Sequence, residues 1–235
     1  MTDILTVKTY TPDESDFDKI RAFTRREFSE DELYVFEATL CDNDIDRDFE
    51  KFSDSALSAL QKLFIGKTGI KDHSMKAQDQ TARIFDTRLE KTAGRTTADG
   101  ESYIALKAKA YMVRTPENES LIKDIDAGIK KEVSVSCSAK KRICSVCGSD
   151  RSESYCGHIA GKTYGGKLCY TILDDVSDAY EFSFVAVPAQ RNAGVEKAFD
   201  TEKDGIMTED IIKKLKTGGT TVSDSEAAYI VELVS

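Results

Sequence analysis

The sequence predicts an α+β fold built on a mostly antiparallel sheet or barrel. β-branched and aromatic runs fill the middle of the chain, single amphipathic helices are interleaved among them irregularly, and no regular strand–helix alternation of a doubly wound parallel sheet appears. The 235 residues, 40% hydrophobic and 32% charged with 3 Pro, suit one medium globular domain with appendages.

The elements follow in order. Thr11 to Phe23 reads as a short helix, with Thr11 as cap, Pro12 in the first turn, and Phe17, Ile20 and Phe23 near helical spacing. Leu33 to Cys41 is β-branched and aromatic, a strand, and Asp42 to Asp48 an acidic loop. Ser53 to Phe64 is a helix with a capping serine and a leucine stripe. Gly66 to Met75 is a loop carrying His73. Thr81 to Lys91 and Ser102 to Val113 are long strands joined by the polar segment Thr92 to Gly100. Pro116 to Ala127 is a helix stopped by Gly128. Glu132 to Arg142, Leu168 to Leu173 and Ala179 to Val187 are strands, with a loop-rich insertion over Cys144 to Cys169. Gln190 to Lys203 is loop-like, and Met207 to Lys216 and Ser223 to Val234 are amphipathic helices.

Composition excludes several functions. No apolar run is long enough to cross a bilayer, and the first ten residues lack a secretory pattern, so a cytoplasmic protein is expected. A formal charge of −9 argues against a dedicated nucleic-acid binder, although Lys130, Lys131, Lys140, Lys141 and Arg142 form a local basic strip. Gly66-Lys67-Thr68 resembles the tail of a phosphate loop, but Gln61 stands where the leading glycine belongs. Asp42 to Asp46 resembles the start of a calcium loop, but Arg47 and Ser53 replace its glycine and its glutamate.

Six cysteines in a chain without an export pattern are reduced thiols or metal ligands. Cys144-x-x-Cys147 followed by Cys156-x-His158 has the spacing of a closed structural zinc site, with Gly148 available for the tight turn. Cys169 is a substitute for His158, and Cys41 and Cys137 read as core thiols.

Lys131 to Ala139 alternates strictly. Val133, Val135 and Cys137 face one way and Ser134, Ser136 and Ser138 the other. Tyr180 to Ala189 repeats the pattern, with Tyr180, Phe182 and Phe184 against Glu181, Ser183 and Val185. Two polar strand faces and a loop histidine can assemble an acyl-transfer site, since a serine needs an imidazole base and the base an orienting group.

The stretches Leu40 to Phe52, Gly69 to Met75, Glu132 to Ala139 and Ala179 to Ala189, in this order, resemble the prohead proteases of tailed bacteriophages, especially those of Gram-positive hosts. The resemblance spans about Ser29 to Glu196 and implies a fold similar to herpesvirus assemblins, a closed antiparallel β-barrel wrapped by helices. The expected organisation is an extension at 1–28, a barrel domain at 29–196 including the zinc insertion 144–169, and a helical tail at 197–235. The implied activity is a serine endopeptidase that cleaves scaffold and major capsid protein inside the assembling head, in the host cytoplasm. A homo-oligomer fits this setting; nucleic acid and membrane are not expected partners. By the same resemblance Ser134 is the nucleophile, His73 the base and Glu181 the orienting group, with Arg191 near the oxyanion site. Ser136, standing where many relatives carry glycine, is an alternative nucleophile. The competing readings are a non-catalytic, zinc-stabilised head-assembly or scaffold-binding protein on the same fold, and a zinc hydrolase. A filled ligand set and the lack of a His-Glu-x-x-His helix disfavour the latter.

Overall fold

The computed structural model describes residues 12–198. The Thr11 cap and the two helices expected after Met207 lie outside these residues.

Helix α1 (Glu14–Arg21) is capped by Asp13, whose carboxylate takes the Asp16 amide while Asp16 reaches back to the Asp13 amide. Its Ile20 packs with Leu33, Val35, Phe85 and Tyr111 in a satellite core. Strand β1 (Leu33–Asp42) is buried along its whole length, as a central strand covered on both faces must be. A three-residue strand β2 (Glu50–Phe52) leads into α2 (Asp54–Leu63), where Ser53 Oγ accepts from the Ala56 amide and Ala56, Leu57 and Leu60 turn inward. Strand β3 (Thr68–Lys71) interrupts the loop expected around His73. The hairpin β4 (Ala82–Thr96) and β5 (Ser102–Val113) pairs antiparallel. Helix α3 (Pro116–Asp126) starts on Thr115 and Pro116, buries Leu121, Ile122 and Ile125, and ends before Gly128 at φ +70°. Then come β6 (Val133–Cys144), the small hairpin β7 (Thr163–Tyr164) and β8 (Lys167–Leu168), the long β9 (Thr171–Phe184), and β10 (Gly194–Ala198) in a segment expected to be loop.

Eight strands form one sheet in the order β10-β1-β5-β4-β3-β9-β2, with β6 on β9 off this path. The expected closed barrel is not formed. The sheet is large, open and mixed, because β2 and β3 both run parallel to β9 while the other ladders are antiparallel. Closure requires a continuous ladder between terminal strands. Here β6 gives its ladder to β9, β10 is five residues long, and the seam between them holds one isolated bridge, Glu132 with Gly194, flanked by the bonds from the Val195 amide to Lys131 O and from the Val133 amide to Ala193 O rather than by a ladder. The α+β assignment survives in coarse form, with three α-helices among the described residues.

An aromatic cluster centres the main core. The Phe36 ring lies 6.4 Å from Phe182 and 6.1 Å from Phe184, and each such buried ring contributes about 1.5–3 kcal/mol of burial. This packing needs a glycine on β3. A Cβ on Gly69 would stand 2.5 Å from Phe182 Cζ, so the close approach of β3 to β9 depends on Gly69 having no side chain.

The alternation read for β9 fails at one residue. Ser136 pairs with Glu181 but Cys137 with Ala179, so Tyr180 is an extra, bulged residue and turns outward to 48% exposure. Ser177 is a second extra residue, between the pairs Ser138–Asp178 and Ala139–Val176.

Candidate functional site

His73 sits two residues beyond the end of β3, and both Asp72 (φ +49°) and His73 (φ +53°) are left-handed. Such backbone costs a non-glycine residue about 1–2 kcal/mol, so neighbours must hold it. Three bonds do so. The Asp72 amide donates to Phe184 O at 3.0 Å, the His73 amide to Ser183 Oγ at 2.8 Å, and the Ser74 amide to Lys71 O at 2.9 Å. The histidine loop is thereby fastened to the end of β9.

The same strand supplies the partner of the ring. Glu181 lies opposite Thr68 on β3, is 1% exposed, and meets His73 Nδ1 through Oε1 at 2.8 Å. Its Oε2 is buried without a hydrogen bond. From the other side of β9 comes β6, with Ser136 opposite Glu181 and Ser134 opposite Ser183. Ser136 Oγ stands 3.2 Å from His73 Nδ1. Ser134 Oγ makes no hydrogen bond among the described residues, to His73 or otherwise. The structure thus joins His73 to Glu181 directly and to Ser136, with Ser134 two register pairs along the same strand. Ser183, weighed in the sequence as part of the polar face, holds the histidine backbone rather than its ring. Arg191 is exposed in the loop before β10 and forms no hydrogen bond or ion pair among the described residues.

The cysteine-rich insertion grows from the far end of the same ladder. Strand β6 ends at Cys144 and turns through Cys147, with the Gly148 amide on Cys144 O at 2.8 Å and the Cys144 amide on Ser149 O at 2.9 Å. Gly148 is at φ +74°, the left-handed geometry anticipated for it. One ligand atom from each of Cys144, Cys147, Cys156 and His158 lies within 4.8 Å of the others, so the four can hold a metal ion. His158 Nδ1 supports this by its own state. It is buried with no hydrogen-bond partner, which costs free energy unless the lone pair is used, and a metal would use it. The ring is steadied edge-on by Tyr164 at 4.7 Å.

Cys169 stands beside the group, with its sulfur 4.0 Å from that of Cys144. It accepts a bond from Arg151 at 3.2 Å, and Arg151 also reaches His158 O and Thr171 Oγ1. Sequence reasoning missed Arg151, although a cation between cysteine pairs is the available signal. Burial raises the Cys144 thiol, but the Cys147 amide, Arg151 and the Val146 amide outweigh it and bring it down to about 7. Ser149, through side chain and backbone, brings Cys147 down to about 7 as well. Burial pushes Cys137 up to about 11 and raises Cys41 as well, as expected of thiols packed in or against the core. All six cysteines are free of disulfides.

No family model, curated protein or solved structure matches this chain.

Proposed function

We propose that the chain is a serine endopeptidase that cleaves scaffold and capsid proteins in an assembling phage head, with Ser134 as nucleophile, His73 as base and Glu181 as its orienting carboxylate. The buried Glu181 carboxylate against Nδ1 of the exposed His73 carries this reading. One ring nitrogen cannot serve both neighbours. The charged acceptor at 2.8 Å has the stronger claim on the Nδ1 proton than the hydroxyl at 3.2 Å. With that proton given to Glu181, the lone pair lies on Nε2, and Nε2 is the base.

Ser134 gives its proton to Nε2 as its oxygen attacks the peptide carbonyl. The imidazolium, stabilised by Glu181, then passes the proton to the leaving amine. Water enters by the same route and releases the acyl group. The zinc ion, held by Cys144, Cys147, Cys156 and His158, is structural in this reading, since four protein ligands leave no position for a reactive water.

A second reading takes Ser136 as nucleophile, and the 3.2 Å contact to Nδ1 favours it. It requires the Nδ1 lone pair to face Ser136, which leaves Glu181 to hold a proton itself. Co-expression with the capsid and scaffold proteins, read by intact mass, tests both. Trimming by the parent, lost in Ser134→Ala and kept in Ser136→Ala, supports the first reading. The reverse supports the second. No trimming by the parent leaves a non-catalytic head-assembly protein.

A further inference from the structure

We infer that the cavity beside the histidine loop receives an apolar side chain of the polypeptide substrate next to the bond that is cut; this rests on the endopeptidase reading above. The cavity measures 460 Å³, within the range of sites that enclose a small ligand or side chain. Its position ties it to the chemistry. Asp72 in its wall directly precedes His73, Glu132 lies two residues before Ser134, and Phe184 directly follows Ser183. A substrate carbonyl held against the serine strand therefore has this cavity as its neighbour.

The lining sets the preference. Leu121 from α3 and Phe184 from β9 are buried core residues whose edges close the floor, and Ile129, 68% exposed, forms an apolar lip. The polar lining groups are exposed or half-buried, so they form the rim. Three of them are carboxylates, Asp72, Glu117 and Glu132. Of the two lysines, Lys71 and Lys130, the latter is held by Asp124 at 2.7 Å. A carbon-lined floor without a buried ion to meet a charge, under a rim where acids outnumber lysines, suits Leu, Met or Phe and disfavours Asp or Glu.

The test uses the full chain and capped decapeptides of Gly, Ser and Ala carrying one guest residue, Leu, Met, Phe or Asp. Cleavage is read by mass spectrometry, and binding by titration of the same peptides into the Ser134→Ala variant. The expected result is cleavage and binding of the Leu, Met and Phe peptides at least about tenfold better than the Asp peptide, the scale on which apolar pockets discriminate. Ser120→Trp, at an exposed lining position on α3, should fill the cavity and remove that preference. Ser120→Glu, placing a charge at the mouth, should do the same if the tryptophan variant folds poorly. Equal handling of Leu and Asp, or a preference unchanged in both Ser120 variants, overturns the pocket. Preferential binding of the Leu peptide that both Ser120 variants weaken, with no cleavage by the parent, keeps the pocket and sinks the endopeptidase reading instead.

Discussion

Glu181→Gln separates catalysis from folding at this site. The substitution keeps the shape of the side chain and removes its charge. At the 2.8 Å between Glu181 Oε1 and His73 Nδ1, a carboxylate and an imidazolium attract by about 6 kcal/mol at an effective dielectric of 20, and by about 1.5 kcal/mol in bulk water. The Glu181 side chain is 1% exposed and that of His73 41%, so the working value lies between these limits. At about 1.4 kcal/mol per decade, the cleavage rate should fall by roughly 10²- to 10⁴-fold. A glutamine that turns its amide toward the ring would add to the loss by forcing the proton onto Nε2. Stability should behave differently. Glu181 Oε2 is buried without a partner, and an unpartnered neutral amide costs less to hold there than an unpartnered charge. The assay is the cleavage rate of a capsid or scaffold substrate beside a thermal melt of the same preparation. A rate within threefold of the parent would refute the orienting role. A collapse of the melt together with the rate would make Glu181 a structural residue.

Four further outcomes are expected. Ser134→Ala should lower cleavage by several orders of magnitude with an unchanged melt, while Ser136→Ala should lower it by less than tenfold; the opposite ranking moves the nucleophile to Ser136. Elemental analysis should find one zinc per chain, and Cys144→Ser should lower zinc content and expose the insertion to limited proteolysis; a zinc-free parent purified without chelator would refute the site. In the metal-free protein Cys144 and Cys147 have folded pKa values below the ordinary thiol value, so their contribution is present above that value and lost as pH falls through about 7; protease resistance of the insertion should fall in that window, and flat resistance from pH 9 to 6 would contradict it. Gly69→Ala should destabilise by about 1–3 kcal/mol, because the added methyl meets the Phe182 ring; an unchanged denaturant midpoint would show that β3 shifts freely.

What the sequence revealed, and what it hid, follows from the range of the interactions involved. Local signals were legible: the Ser53 cap, Pro116 at the start of α3, Gly128 at its end, and the cysteine spacing that ends in a four-ligand cluster. The pairing of His73 with Glu181 was legible only through the resemblance, because a parallel ladder between β3 and β9 brings together residues 108 apart. Strands of three to five residues were not legible. β2, β3 and β10 have too few positions to show a period and exist because β9 and β1 offer ladders to them. The open edge escaped for the same reason, since closure depends on how many residues of β6 and β10 can pair. The Tyr180 bulge breaks an alternation that looked perfect, because only a partner strand reveals which residue is surplus.

That bulge and its companion at Ser177 have a consequence for how the molecule can change. β6 and β9 form one ladder with the candidate metal ligands at one end and the histidine site at the other. From Cys144 to Ser134 it covers ten steps, about 33 Å of strand. In an uninterrupted ladder, a residue gained or lost near the metal would slide every pair beyond it and invert the faces of Ser134 and Glu181. Here two surplus residues lie between the ends, so the ladder already breaks step twice before reaching the serines. The pairs Ser134–Ser183 and Ser136–Glu181 are set instead by β3 and the histidine loop on the far side of β9. The segment that carries the four candidate metal ligands can therefore lengthen, shrink or be exchanged without moving Ser134, Ser136 or Glu181, and the two ends of one pair of strands can change as separate parts.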